Sequence, residues 1–339
     1  MRFVRTNKLQ AGMITARPIY HGRDLMLNAN RSITADMITS LKRNDFSGIY
    51  VYDEFSDIEK LGELIDEGLR RDCLQALEHF DTDKVQFFAN DIVDSLSKIG
   101  SDIAIDMNQL SIYDQSTYEH SLNVALTSTA CGIGMGLSND RLVRLASGAM
   151  LHDCGKQAIP HSILNKPGAL SEEERKIIER HPQYGYDMLY NREEIHPESR
   201  AITLCHHENW DGSGYPKGLC EHEIPLLARI VHVADVYDAL LRKRAYKDKI
   251  SQTESIEYLM GGCGTLFDYD VVTTFLDYIV VYPVGCEVRL SDGRIGRVVA
   301  NTPRHIERPS VYVDGQVLDL ANDMDLLSLL VVGEVGEEE

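Results

Sequence analysis

Five of the twelve histidines stand in settings that suggest joint chemistry: His120 in TYEHSLNVA, His152 in LHDCGK, His181 in ERHP, and His206 with His207 in CHHENWDGSGYPKG. Asp153 follows His152 directly, and Asp235 sits in RIVHVADVYDAL. Imidazole and carboxylate groups without thiolate suit Mn, Fe, Zn and related divalent cations, the carboxylates favouring the harder ions. One aspartate can bridge two such ions. Taken singly, each histidine has an ordinary alternative as a surface or hydrogen-bonded core residue. Taken jointly, the metal reading outweighs that alternative. His232, three residues before Asp235, reads as a supporting or core residue, and the remaining histidines have no motif around them.

Such a site needs elements that converge. The spacings from 120 to 152, 153 to 181, 181 to 206 and 207 to 235 allow one contributor from each of several helices, as in metal centres built inside helical bundles. Adjacent helical residues diverge by ~100°, so His206 and His207 address neighbouring parts of a site where a helix ends. Apolar residues recur at helical spacing from Ile58 through Leu61, Ile65, Leu69, Leu74 and Leu77, and again from Val85 through Phe88, Ile92, Leu96 and Ile99. Two amphipathic helices are expected there. Ser171 with Glu174 and Ser251 with Glu254 read as capping boxes, and Pro197 and Pro225 suit first-turn positions. After Pro283 the pattern changes to CEVRL, RIGRVVA, SVYVD and VLDL, short alternating runs separated by Asp-Gly or Gly turns.

The expected architecture is multidomain and mainly α. A small β-containing module covers 1–55, a helical connector 56–104, a central all-α domain 105–280, a small β-module 281–333 and an acidic, solvated tail 334–339. The chain of 339 residues carries 34 Lys plus Arg against 53 Asp plus Glu, a formal net charge of −19, which argues against bulk nucleic acid or an anionic membrane as partner. No apolar run approaches the ~18 residues of a membrane span, and the N-terminus lacks the apolar segment of a signal peptide. Seven Cys without a CxxC pair read as reduced packing residues, consistent with a cytoplasmic location.

The ordered set HDCGK, HP, HHENWDGSGYPKGL and EIPLLARIVHVADVYDAL resembles the HD-GYP family of cyclic di-GMP phosphodiesterases, a branch of the HD metal-dependent phosphohydrolases. The likeness covers roughly residues 105 to 280. It implies an HD-type helical bundle in which His120, His152, Asp153, His181, His206, His207 and Asp235 are metal ligands, with Asp153 bridging. It further implies that Lys156 acts beside the metals and that Arg244 and Lys247 in RKRAYK meet substrate phosphates. Gly212, Gly214, Tyr215 and Pro216 form the loop that names the family, with Gly214, Tyr215 and Pro216 as substrate contacts; for the glycines a purely structural turn is nearly as good a reading. Trp210 is equally a packing anchor or a pocket wall. Ala245 and Tyr269 replace prolines of the family pattern, which alters backbone restraint without removing a chemical group. Ser116 stands where three-metal members carry Glu, which favours two metals; Asp114 and Glu119 are the nearest carboxylates that could compensate.

The resemblance therefore implies hydrolysis of cyclic di-GMP to linear pGpG, with further cleavage to GMP by the same bond chemistry, at two Fe or Mn ions. Imidazole-rich coordination disfavours Mg. Two other readings stand beside it: hydrolysis of a different cyclic dinucleotide such as cyclic GMP-AMP or of another nucleotide phosphate, and a catalytically silent protein that senses the dinucleotide or recruits a partner. A second copy of the chain and a signalling protein are the partner classes left open.

Overall fold

A computed structural model describes residues 2–21, 24–44, 46, 48–52, 64–100, 103–107, 117–242 and 252–335. Asp114, Ser116, Arg244, Ala245, Lys247 and Ser251 lie outside the described residues. The chain divides into two compact units, one β-rich (1–63, 102–115 and 277–339) and one helical (64–101 and 116–276).

In the β-rich unit, β1 (Arg2–Arg5), β2 (Ile14–Thr15) and β5 (Gly48–Tyr52) form an antiparallel sheet in the order β1-β5-β2, while β3 (Ile19–His21) pairs with β4 (Asp24–Leu27). Helix α1 (Ala35–Arg43) is capped by the Thr34 side chain, which accepts from the Met37 N–H. Leu41, Ile49, Val51, Ile33 and Ile19 are buried together. Toward the C-terminus, β6 (Glu287–Leu290), β7 (Ile295–Ala300), β8 (Ser310–Val313), β9 (Gln316–Asp319) and β10 (Val331–Glu334) form a second antiparallel sheet in the order β10-β6-β7-β8-β9. Asp314 and Gly315 both have positive φ, 51° and 84°, and join β8 to β9 as a two-residue hairpin turn that keeps the strands' twist. The acidic tail starts later than the sequence suggests. Gly333 and Glu334 pair with Arg289 and Val288, and the Val335 N–H reaches the Glu287 carbonyl, because the apolar run before them extends the sheet.

The helical unit contains α2 (Glu67–Glu78), α3 (Thr82–Ile99), α4 (Thr117–Gly134), α5 (Asn139–Leu151), α6 (His161–Leu164), α7 (Glu172–Ile178), α8 (His181–Leu189), α9 (Pro197–Cys205), α10 (Leu226–Leu241), α11 (Gln252–Gly261) and α12 (Tyr269–Leu276). Helix α3 buries Val85, Phe88, Ala89, Ile92, Val93 and Leu96 on one stripe and starts at Asp81, whose carboxylate accepts from the Lys84 N–H. Helix α4 is the central one: it is buried on every side from Glu119 to Gly132. Small residues permit that. A Cβ on Gly132 would come within 2.8 Å of the Leu142 and Leu145 side chains, and one on Gly148 within 3.0 Å of the Ser199 backbone. Ser171 and Glu174 form the expected capping box of α7, and Pro197 opens α9. Pro225 instead occupies the residue before α10, where its extended backbone leads into the helix rather than forming its first turn. All seven cysteines are free, and no helix among the described residues is long and apolar enough to cross a membrane.

Candidate metal centre

The seven residues reach one place by two kinds of route. His120 and Asp235 project from within α4 and α10, whereas His152 is the C-cap of α5, His181 the first residue of α8, and His206 the C-cap of α9, with His207 next to it. Asp153 leads into a 3₁₀ turn, Cys154–Ala158. Two glycines let that turn dock. A Cβ on Gly155 would lie 2.0 Å from the His181 carbonyl oxygen and 2.4 Å from the Gly185 nitrogen, so only hydrogen at this position lets the His-Asp turn lie directly on α8.

The resulting ligand atoms form three overlapping groups, each with its atoms within 4.8 Å of one another: Asp153 with His181, His206 and His207; His120 with His152 and Asp153; and His152 with His206 and Asp235. Asp153 belongs to the first two, His206 to the first and third, and His152 to the second and third. His120 Nε2 also lies 3.0 Å from Asp235 Oδ1. All of these groups except His207, which is half-buried, are buried.

The outer faces of the rings are fixed by hydrogen bonds. His152 Nδ1 contacts the Ala149 carbonyl at 2.7 Å, His181 Nδ1 the Ile178 carbonyl at 2.8 Å, and His206 Nδ1 the Thr203 carbonyl at 3.0 Å. Each such contact places the proton on Nδ1 and leaves Nε2 as a lone-pair donor toward the cluster. His120 differs: its Nδ1 is 2.6 Å from Asp238 Oδ2. Burial pushes the His120 imidazole down, but hydrogen bonds to Asp235 and Asp238 overcome it and raise it to about 9. Burial lowers His152, lowers His207 to about 3, and with the neighbouring imidazoles takes His206 well below its ordinary value. For Asp153 burial acts upward, yet Lys156, His152 and His181 hold the carboxyl well below the usual carboxylate range.

The cluster fits a divalent cation on its own terms. His152 Nε2 and Asp153 Oδ1 are buried without a hydrogen-bond partner, a cost of about 1–3 kcal/mol per group unless something binds them. His181 Nε2 and His206 Nε2 approach to 3.4 Å, so two ring nitrogens that the outer hydrogen bonds leave as lone-pair donors point at a common position. A cation removes both difficulties, and the nitrogen and oxygen donor set suits it.

Lys156, one turn beyond Asp153, places Nζ 2.5 Å from Asp153 Oδ2. The Tyr215 ring stacks on His207 with centroids 4.8 Å apart, while Pro216 is exposed. The Trp210 ring contacts the Arg229 guanidinium at 5.6 Å and the His222 ring at 5.3 Å. His232 supports the site, its Nδ1–H donating to the His206 carbonyl at 2.8 Å. Glu119 is buried in an ion pair with Arg70.

Asp238 and Asn123 go unassigned in the sequence reading. Asp238 Oδ1 accepts from Asn123 Nδ2 at 3.1 Å, and Arg242 Nε donates to Oδ2 at 2.5 Å, so the carboxylate behind His120 is itself held. The signal was there in the spacing: His232, Asp235 and Asp238 recur every three residues on one face of α10, and Asn123 lies three after His120.

The chain is 39% identical over 229 residues to the cyclic di-GMP phosphodiesterase PA4108 of Pseudomonas aeruginosa, covering 66% of this chain and 55% of that protein. It is 46% identical over 143 residues to the cyclic di-GMP phosphodiesterase response regulator RpfG of Xanthomonas campestris, covering 42% and 38%. It is 37% identical over 172 residues to the 3'3'-cGAMP-specific phosphodiesterase 2 of Vibrio cholerae, covering 50% and 33%. The chain thus spans about half or less of the length of these relatives. The HD domain model matches residues 102–271, the stretch that holds every described member of the histidine and aspartate cluster, and the chain belongs to the HD domain family.

Proposed function

We propose that this chain is a metal-dependent phosphodiesterase that hydrolyses cyclic di-GMP to linear pGpG, and pGpG to GMP by a second cut of the same bond type. The observation that carries the reading is that Asp153 is the carboxylate common to two of the ligand groups. His120, His152, Asp153 and Asp235 would hold one cation, and Asp153, His181, His206 and His207 a second. Two cations in this cluster would lower the pKa of a water, orient the phosphodiester and neutralise charge on the leaving oxygen. Fe or Mn suits the imidazole-rich donors better than Mg, and Ser116 in place of a carboxylate favours two ions over three.

The chain's own groups supply the rest. Asp153, held anionic by Lys156 and its neighbouring histidines, contributes fixed negative charge between the two groups. The Lys156 ammonium faces the same position and balances charge that grows on the phosphoryl oxygens. Arg244 and Lys247 are the phosphate contacts of the substrate. Seven free cysteines support a cytoplasmic location.

The relative specific for 3'3'-cGAMP supports a second reading, in which that dinucleotide is the preferred substrate. One experiment separates them. Protein reconstituted with Mn(II) or Fe(II) is incubated with each dinucleotide, and the products are resolved by chromatography. Faster conversion of cyclic di-GMP to pGpG is expected; a preference for cGAMP selects the second reading, and no conversion of either overturns both.

A further inference from the structure

The loop that follows His207 folds back onto the metal-ligand turn at Gly214 and Tyr215. A Cβ on Gly214 would lie 2.2 Å from the Asn209 nitrogen, 2.5 Å from the His207 carbonyl oxygen and 2.6 Å from Glu208 Cα. The Tyr215 N–H donates to that His207 carbonyl at 3.1 Å, and the Tyr215 ring lies over the His207 imidazole at an interplanar angle of 28°. Glu208 closes the loop from beneath. It is 1% exposed, and its two carboxylate oxygens accept from the Lys217 N–H at 2.8 Å and the Leu219 N–H at 3.0 Å. Leu219 in turn packs against Leu204, Cys205, Ile224 and Ala228, which ties the end of the loop to the core beside α9.

A buried carboxylate with both oxygens used on backbone N–H groups is a fixed point, and charge-assisted bonds of this kind are roughly twice as strong as neutral ones. His207 needs such support. It is the half-buried member of the cluster and follows the end of α9 rather than lying within it. We infer that Glu208 and Tyr215 are positioning residues for His207: the Gly-Tyr-Pro loop is a brace that holds the second cation's ligands, rather than a nucleotide contact. Glu208 fixes the loop, Gly214 lets it lie flat on the histidine turn, and the Tyr215 ring stops the imidazole from rotating out. The inference rests on the metal reading of the cluster and changes what Tyr215 is for.

The test uses the full chain, stripped with chelator and titrated with Mn(II), in wild type and in Glu208→Gln, Tyr215→Leu and Tyr215→Phe. Gln keeps the volume but only one acceptor; Leu removes the stacked ring; Phe keeps it. Wild type is expected to bind two Mn(II) ions with the magnetic signature of a coupled pair. Glu208→Gln and Tyr215→Leu should weaken one of the two by roughly 10–100-fold, the range for groups that orient metal ligands, and replace the coupled signal with that of an isolated ion. Tyr215→Phe should match wild type in metal affinity and in KM for cyclic di-GMP. Thermal melts check folding, and should the buried Glu208→Gln fail to fold, the half-exposed Tyr215 pair carries the test. Two fully bound ions in Tyr215→Leu with only KM raised overturns the brace and leaves the metal reading standing. A raised KM in Tyr215→Phe also overturns it, since the hydroxyl then serves the nucleotide. Absence of bound Mn(II) in wild type overturns the metal reading and the brace together.

Discussion

His120 lies within α4, where backbone carbonyls are committed to the helix, whereas His152 and His206 cap the ends of α5 and α9, where last-turn carbonyls lack the i+4 partner of the helix interior. The difference decides what stands behind each ring. His152, His206 and His181 use backbone carbonyls of Ala149, Thr203 and Ile178, and no charge is spent on them. His120 takes a carboxylate from α10 instead, Asp238, which Arg242 and Asn123 hold in place. A carbonyl leaves an imidazole neutral and ready to ligate. A carboxylate makes it more basic, so without metal His120 is raised to about 9 while burial holds His207 at about 3. The two sides therefore load metal differently: at neutral pH a cation has to displace a proton from His120 but not from His152, His206 or His207.

The largest expected effect comes from the one residue common to both sides. Asp153→Asn removes the shared anionic charge, and hydrolysis should fall by roughly a thousandfold or more, comparable to the loss of about 4 kcal/mol of electrostatic stabilisation. Metal analysis of the folded variant should show both ions depleted. Wild-type metal content would break the shared-ligand assignment.

Asp238→Asn separates the sides. The amide no longer supports a basic imidazole, so metal affinity at the His120 side should fall by roughly 10–100-fold while the other side holds. Titration with Mn(II) reads this as one weakened site. Equal weakening of both sites would mean that Asp238 supports the whole bundle rather than one ring.

Arg244→Ala and Lys247→Ala should leave both sides loaded and raise KM for the dinucleotide by about tenfold, close to 1.4 kcal/mol of lost phosphate binding. Metal analysis run beside steady-state kinetics checks it. Unchanged kinetics in both would make these ordinary solvated charges.

The smallest effect is on the stability of the metal-free protein. His207, His206 and His152 are lowered in the folded state, so as pH falls below ~6.5 the unfolded chain takes up protons that the folded one refuses, and stability declines toward pH 3. Asp153 and Asp235, held low, extend that loss at still lower pH. His120 acts in the opposite direction. Raised to about 9, it stabilises fully below ~6.5, and its contribution is lost as pH rises through 9. Melting temperatures of chelator-treated protein should fall on both flanks, and Asp238→Asn should shrink the alkaline one and remove the Asp238 carboxylate's own contribution below ~4, leaving the histidine part of the acid flank between ~6.5 and 3. Loss of the histidine part of the acid flank in that variant would contradict the division.

Much of this was legible in the sequence because chemistry-bearing residues were close to distinctive neighbours. His-Asp at 152–153 and His-His at 206–207 are read as pairs, and their short flanking strings carry the family likeness. The periodic run that became α3, the later part of the one before it, and the Asp-Gly turn between β8 and β9 follow from local spacing and backbone preference. That earlier run is helical from Glu67; Ile65 precedes the helix, and Ile58 and Leu61 lie outside the described residues. What lay beyond reach depends on neighbours distant along the chain. Asp238 gains a role only because α10 lies beside α4, and its partner His120 is more than a hundred residues away. Glu119 gains its ion-pair partner only because α2 places Arg70 against it. Gly155 and Gly185 read as ordinary glycines until the turn after α5 is laid on α8. The chain by itself determined which groups could bind metal, since ligand chemistry resides in residue type. Only tertiary structure decided which imidazole faces a carboxylate and which a carbonyl, because that depends on whether a ring sits inside a helix or at its end, and on which helix lies alongside.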